Sequence, residues 1–96
     1  MTPLSRDEKQ ARREDVRNRA AAGELRFPEA IRDIRHSLGM TQIDFASRFG
    51  LTRRQLIDLE KGKANPTLET LEKIGRVFGF TVGFVMKSST GQEPDA

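Results

Sequence analysis

Two short segments, separated only by Leu51, constrain the fold of this chain more than any other feature. The first runs from Thr41 to Gly50 and the second from Thr52 to Gly62. Threonine is a favourable residue at the start of a helix, and glycine is frequent just past the end of one. The sequence therefore predicts two short helices that are joined by a tight turn.

Apolar residues at helical spacing continue this pattern on both sides. One helix is predicted to begin at Pro28 and end at Gly39, and another to follow a cap at Thr67 and end at Gly79. The predicted core residues are Ala30, Ile31, Ile34, Leu38, Phe45, Ala46, Phe49, Leu51, Leu56, Leu59, Leu68, Leu71, Ile74 and Phe78. In the last of these helices, the small Gly75 is expected to permit close packing. We therefore predict an all-α fold, a compact domain of four to five helices.

Composition divides the chain into three segments. Residues 1–26 are charged and almost wholly polar, so we expect an N-terminal extension that can be helical but cannot hold its own core. We expect this extension to be mobile alone and to become ordered on DNA or on a protein partner. Residues 27–86 form the predicted globular domain, and residues 87–96 are predicted to be a disordered tail.

The last apolar residues of the domain change from helical to alternating spacing. Phe80, Val82, Phe84 and Met86 alternate with other residues over positions 80–86, which predicts one C-terminal β-strand. A lone strand has no partner in a helical chain, and an open strand edge is a liability. We therefore expect an antiparallel pair with the same strand of a second copy, in a homodimer. The alternative is an extended tail packed on the chain's own helices.

Two helices joined this tightly form a helix-turn-helix, whose second helix can lie in the major groove of DNA. The side chains predicted to point outward from that helix are Arg53, Arg54, Ile57 and Asp58. Arginine can make a two-pronged bond to guanine or a charge-assisted bond to phosphate. Two alternatives stay open: Arg54 and Asp58 can form a surface ion pair, and Ile57 can contact a thymine methyl or pack at the helix edge.

Helix starts and loops supply the candidate phosphate contacts, because free backbone N–H groups and the helix dipole favour an anion there. These candidates are Thr41, Gln42, Thr52, Gln55 and Lys63. Thr41 and Gln42 can instead serve only to cap their helix. Lys63 can instead be a solvated loop lysine.

An enzyme is not expected, because the chain has one histidine and no cysteine and so lacks the groups for a catalytic triad or an ordinary zinc site. We predict no cofactor and no metal. The 96 residues contain no apolar run long enough to cross a bilayer and no signal-peptide pattern. A cytoplasmic protein is expected, and its net charge of +3 suits a polyanionic partner.

Residues 31–79 resemble the Cro/cI-type helix-turn-helix family, also called XRE-like or lambda repressor-like. The resemblance rests on Arg35, Thr41-Gln42, Phe45-Ala46, Gly50, Leu56, Leu59-Glu60, Gly62, Pro66 and Leu71, in this order and spacing. The strand sequence FTVGFV is similar to the end of HipB-like antitoxins, whose C-terminal strands pair across a dimer. The charged residues 1–26 are not part of the common family pattern.

The resemblance implies a repressor that binds a palindromic operator in double-stranded DNA as a homodimer. Within the HipB-like group, it implies the antitoxin of a type II toxin–antitoxin operon, with a HipA-like kinase toxin as its partner. The alternatives are a phage-type or stand-alone repressor without a toxin, and an interaction module that neutralises a toxin while DNA binding is secondary.

The resemblance also implies roles for particular residues. Arg53, Arg54 and Asp58 are placed at base-contacting positions, while Gln42 contacts phosphate and Gln55 lies near the DNA backbone. Arg35 and Glu60 are placed in a partly buried ion pair that joins two helices of the domain.

Overall fold

The computed structural model describes residues 5–86, which contain five α-helices. They are α1 (Arg6–Ala21), α2 (Glu29–Ser37), α3 (Gln42–Arg48), α4 (Arg53–Glu60) and α5 (Leu68–Arg76). The prediction of an all-α domain is confirmed for this part of the chain. None of these helices combines the length and the apolar character that crossing a bilayer requires.

Local side-chain hydrogen bonds define where the helices begin. In four helices the hydroxyl of the N-cap residue accepts a hydrogen bond from the backbone N–H three residues later, and these caps are Ser5, Thr41, Thr52 and Thr67. Such a cap stabilises a helix by roughly 1 kcal/mol. The predicted stops are glycines with positive φ, which is strained for other residues: Gly39, Gly50, Gly62 and Gly79.

The core lies where α2, α3, α4 and α5 meet. Phe45 and Leu56 are completely buried, and the rings of Phe45 and Phe49 lie 4.6 Å apart between centroids. Ile31 and Ile74 bring α2 and α5 into the same cluster. The predicted apolar faces therefore meet in one core.

One predicted core residue lies outside this cluster. Leu68, the first residue of α5, remains 62% exposed. The inward face of α5 therefore begins at Leu71, which packs against the core.

Helix α1 is formed by the charged N-terminal extension. A reciprocal pair of hydrogen bonds between Ser5 and Glu8 caps its start. Its single buried apolar side chain, Val16, is 2% exposed and belongs to the core cluster. Arg19 holds it to α2 through an ion pair with Asp33 at 2.9 Å. The extension was expected to be mobile alone, whereas in the structure it is a helix packed on α2.

The predicted strand at residues 80–86 is not supported, since the structure contains no strand within residues 5–86. Strands need backbone partners, and none of the other described segments supplies one. Phe80 instead packs against the core and stacks on Phe78, with ring centroids 5.2 Å apart. Phe84 and Met86, by contrast, are almost fully exposed. The predicted tail, residues 87–96, lies outside the described residues.

Gly75 permits the close approach that its small size predicted. A Cβ atom added there would lie 3.2 Å from both the Cβ and the carbonyl oxygen of Phe80. The backbone N–H of Phe80 donates to the carbonyl of Gly75 at 2.9 Å. A side chain at position 75 would therefore push the C-terminal segment away from α5.

Candidate nucleic-acid interface

Helices α3 and α4 form the expected helix-turn-helix. Between them, the backbone N–H of Leu51 donates to the carbonyl of Ala46 at 2.8 Å, which closes the turn. Leu56 and Leu59 anchor α4 in the core, with exposures of 0% and 5%. One side of α4 is thereby fixed, and its opposite side is presented to solvent.

The outward side of α4 carries the four candidate base-contacting residues. Arg53 is exposed, and the side chain of Arg54 is 82% exposed. Ile57 and Asp58 are half-buried. The Nε atom of Arg54 lies 3.7 Å from a carboxylate oxygen of Asp58, which is an ion pair without a close hydrogen bond. A pair this exposed contributes little stability, so it leaves the Arg54 guanidinium available to another acceptor.

The start of α4 is unusual in its charge. The first turns of the other four helices contain acidic residues: Asp7, Glu8, Glu29, Asp44 and Glu69. The first turn of α4 has none and begins with Arg53 and Arg54. Positive charge at a helix N-terminus opposes the helix dipole by roughly 0.3–1 kcal/mol per charge. These two arginines are therefore poorly placed for helix stability and well placed to hold an anion.

Thr52 and Gln55 cap this same helix. The Thr52 hydroxyl accepts from the backbone N–H of Gln55 at 3.0 Å, and the Gln55 side-chain carbonyl accepts from the backbone N–H of Thr52 at 2.8 Å. Both residues were candidates for phosphate contact. The capping bonds use the Thr52 oxygen and the Gln55 carbonyl, which leaves the Gln55 amide N–H groups as donors for a phosphate.

Thr41 and Gln42 lie at the start of α3. The Thr41 hydroxyl caps the helix by accepting from the backbone N–H of Asp44 at 3.1 Å. The Gln42 side chain is half-buried and donates from Nε2 to the carboxylate of Glu60 at 3.2 Å. This bond orients the amide and leaves its second N–H available to an external acceptor.

Arg35 and Glu60 form a nearly buried ion pair, with side chains 10% and 6% exposed. Arg35 Nε donates to Glu60 Oε2 at 2.6 Å and Nη2 donates to Oε1 at 3.1 Å. The remaining guanidinium nitrogen donates to the Met40 carbonyl at 3.1 Å. The pair therefore joins α2 to the end of α4, and through Gln42 it also reaches the start of α3.

The contact between Gln42 and Glu60 was missing from the sequence-based prediction. It could have been found from the acceptor capacity of a carboxylate. A buried carboxylate has about four acceptor positions, and a two-pronged arginine fills only two of them. Gln42 fills a third, and its place beside Glu60 depends on how α3 crosses α4.

Lys63 lies in the loop after α4 and is exposed. Its backbone N–H donates to the carbonyl of Asp58 at 2.8 Å, which holds the loop against the end of the helix. Its ammonium group makes no hydrogen bond within residues 5–86. The structure thus places a charged group beside α4, as either interpretation of Lys63 requires.

His36 lies on the outer side of α2. Burial, and then the positive charges of Arg35, Arg32 and Arg12, lower its pKa below the ordinary value for histidine. In the part of the chain that the structure describes, no group of three or more acidic, histidine or cysteine residues is arranged to hold a metal ion.

Comparison with known families places this arrangement. The family model described as "Helix-turn-helix" matches residues 31–85, which include α2 to α5 and most of the C-terminal segment. The chain belongs to the helix-turn-helix family. Helix α1 precedes the part of this helix-turn-helix protein that the family model covers.

Relatives of this helix-turn-helix protein include regulators and phage repressors. An "Uncharacterized HTH-type transcriptional regulator" of Archaeoglobus fulgidus is 48% identical over 48 residues, which are 50% of this chain and 69% of the relative. The "Immunity repressor protein" of Bacillus phage phi105 is 32% identical over 62 residues, 65% of this chain and 43% of the relative. The "Cryptic phage CTXphi transcriptional repressor RstR" of Vibrio cholerae is 30% identical over 63 residues, 66% of this chain and 57% of the relative. No solved structure matches the chain.

Proposed function

We propose that this protein is a sequence-specific repressor of transcription that binds double-stranded DNA through α4. The observation that carries the proposal is the exposed arginine pair, Arg53 and Arg54, at the start of the second helix of a helix-turn-helix. Two arginines that oppose the helix dipole stabilise the fold poorly, whereas both suit guanine edges and phosphates. Functional sites are where such local conflicts are expected.

The other candidate residues complete the proposed interface. Arg53, Arg54, Ile57 and Asp58 contact bases. The candidates Thr41, Gln42, Thr52, Gln55 and Lys63 contact the DNA backbone. Because Glu60 holds both Arg35 and Gln42, the buried ion pair also keeps the starts of α3 and α4 in a fixed relation. The names of the phage relatives support repression as the outcome of binding.

The proposed functional unit is a homodimer on a palindromic operator. Two α4 helices related by a twofold axis would enter successive major grooves about 34 Å apart. The exposed apolar side chains of Phe84 and Met86 support an interface at the C-terminal segment. Sedimentation of the wild-type chain and of Phe84→Glu tests this interface, and a Phe84→Glu protein that remains dimeric would contradict it.

Two narrower roles are proposed for the repressor. The resemblance of FTVGFV to HipB-like antitoxins supports an antitoxin that represses its own operon and binds a HipA-like kinase toxin. The phage relatives support the second candidate, a phage-type or stand-alone repressor without a toxin. Co-expression with the adjacent reading frame distinguishes them: stable co-purification with a kinase-like product supports the antitoxin, and its absence supports the stand-alone repressor.

DNA binding itself can be tested by selecting duplexes from a random-sequence library with the purified protein. A palindromic consensus is expected after several rounds. The selected duplex and its scrambled version are then titrated with wild-type protein and with Arg53→Ala/Arg54→Ala. Enrichment of no sequence, or equal affinity for both duplexes, would contradict sequence-specific binding.

A further inference from the structure

One edge of the C-terminal segment is held against α5. The backbone N–H of Phe80 donates to Gly75 at 2.9 Å, and that of Val82 donates to the Glu72 carboxylate at 3.3 Å. The Thr81 hydroxyl also donates to Glu72, at 3.1 Å. Glu72 thus grips the segment at two successive residues, and both backbone contacts come from even-numbered positions.

The opposite edge of this segment is open. In an extended chain, the N–H and C=O groups of alternate residues point to opposite edges. Since Phe80 and Val82 face α5, the backbone groups of Thr81, Gly83 and Val85 face away from it in an extended segment. Within residues 5–86, the backbone groups of residues 81–86 make no backbone–backbone hydrogen bond. The open edge is therefore available to one additional strand.

An apolar cavity lies beside this edge. It has a volume of about 650 Å³ and lies between α1, α2, α5 and the C-terminal segment. Phe80 and Val82 are half-buried at its wall, and Ala20, Ile34 and Leu71 also line it. Unfilled apolar volume of this size is uncommon in a well-packed interior, so the cavity requires an occupant.

The same segment carries the apolar side chains that lack cover. Phe84 is fully exposed and Met86 is 89% exposed. Past Gly83 the inward and outward positions are exchanged, because Val85 lines the cavity while Phe84 points into solvent. A cavity and uncovered apolar side chains on adjacent parts of one chain are self-complementary under a twofold axis.

We propose that Glu72 sets the register of an antiparallel pair between two copies of residues 80–86, centred on Gly83, and that Phe84 and Met86 of the second copy cover the cavity. This inference rests on the homodimer proposed above and specifies how it forms. Centring on Gly83 pairs every residue of the segment, with position 80 opposite position 86 and position 81 opposite position 85. The even positions of both strands then share one face.

This register explains the uncovered side chains. Phe84 of the second copy lies opposite Val82, and Met86 of the second copy lies opposite Phe80, with Cα atoms about 4.5 Å apart in such pairs. Because Phe80 and Val82 face the cavity, their cross-strand neighbours face it as well. The Glu72 contact closes the inner edge, so pairing ends at two copies and does not extend into a larger sheet.

Single cysteines test the register, because the natural chain has none. Gly83→Cys is expected to form a disulfide-linked dimer on mild oxidation, since hydrogen-bonded cross-strand residues lie about 5.5 Å apart between Cα atoms, within disulfide range. A side chain is tolerated there, as nothing lies within 4 Å of an added Cβ. Thr81→Cys and Val85→Cys should each crosslink poorly alone and efficiently when mixed.

The matched variants follow from the role of Glu72. Glu72→Ala in the Gly83→Cys chain should lower the crosslinked fraction several-fold, while Glu72→Gln, whose carbonyl still accepts from Val82, should preserve it. Glu69→Ala, an exposed change one turn earlier on α5, serves as the control and should leave the fraction unchanged. Equal crosslinking in Glu72→Ala and Glu69→Ala would overturn the role of Glu72.

Other outcomes locate the failure. Efficient crosslinking of Val82→Cys with itself, or of Thr81→Cys alone, would show a different register and overturn the proposal. A wild-type chain that binds the selected duplex while no cysteine variant crosslinks would overturn the strand pair and leave DNA binding intact. A chain that neither binds the selected duplex nor crosslinks would contradict both proposals.

Discussion

The guanidinium of Arg35 on α2 and the carboxylate of Glu60 at the end of α4 meet through two hydrogen bonds of 2.6 Å and 3.1 Å. Both side chains are almost fully buried. A buried pair adds little net stability over an apolar pair, but the loss of one partner leaves the other charge uncompensated. The relationship therefore matters most when it is broken.

Arg35→Ala is expected to lower the free energy of unfolding by about 3–5 kcal/mol, because Glu60 and its bond to Gln42 remain buried without the arginine. Urea denaturation followed by circular dichroism measures this change. Asp58→Ala, which breaks the exposed pair with Arg54, is the control and should cost about 1 kcal/mol or less. Similar losses in both variants would show that burial does not distinguish the two pairs.

Arg54→Ala is expected to weaken binding to the selected duplex by about 1–3 kcal/mol and to relax preference at one base pair in each half-site. The reason is that contacts to base edges carry sequence information, whereas phosphate contacts mostly do not. Titrations on the selected and scrambled duplexes measure this difference. Arg76→Ala, an exposed arginine in the last turn of α5, is the control. An equal loss on both duplexes would assign Arg54 to the DNA backbone.

Lys63→Ala should instead weaken binding to the selected and scrambled duplexes alike. Loss of one phosphate contact makes the slope of log affinity against log salt shallower by about one unit, or by about two for a symmetric dimer. Titrations at several salt concentrations measure the slope. An unchanged slope would identify Lys63 as a solvated loop residue.

Val16→Ala tests whether α1 is an integral part of the domain. Val16 is 2% exposed, so removing its two methyl groups should lower the free energy of unfolding by about 1–3 kcal/mol. Asn18→Ala, an exposed change on the same helix, is the control. Thermal unfolding checks both, together with deletion of residues 1–24. The sequence predicts that this deletion is nearly neutral, whereas the packing of Val16 predicts a clear loss of stability.

His36 should make stability depend on pH near neutrality. Its pKa is lowered in the folded chain by burial and by neighbouring arginines, so the unfolded chain binds the proton more tightly. Stability from this group is fully present above about pH 6.5 and is lost as the pH falls toward the folded pKa. Urea denaturation between about pH 5.5 and 7.5 should show this slope in the wild type and a weaker one in His36→Gln. A steeper slope in His36→Gln would contradict the sign.

Much of the helical framework was predictable, because its signals are local. A threonine cap, a helical apolar period and a terminal glycine act within about one turn of the backbone, as Thr52, Leu56 and Gly62 illustrate. The outward position of Arg53 and Arg54 followed from the same period. Their roles toward DNA remain predictions, since contacts with a partner are not encoded in a helical period.

Other features depended on which segments meet in space. Val16 is one apolar residue in a polar segment, and only the position of α1 against α2 buries it. Gln42 was assigned to phosphate from its place at a helix start, but the crossing of α3 and α4 also brings it to Glu60. Both features arise from residues far apart in the chain, which a local pattern does not specify.

The sequence alone determined the turns, caps and apolar faces of α2 to α5, because those depend on residues a few positions apart. The tertiary structure decided the C-terminal segment, whose alternation is equally compatible with a paired strand and with a tail on the chain's own helices. Contacts with Gly75 and Glu72 hold one edge and leave the other open. A backbone edge is occupied or free only in relation to its neighbours, and those neighbours are set by folding.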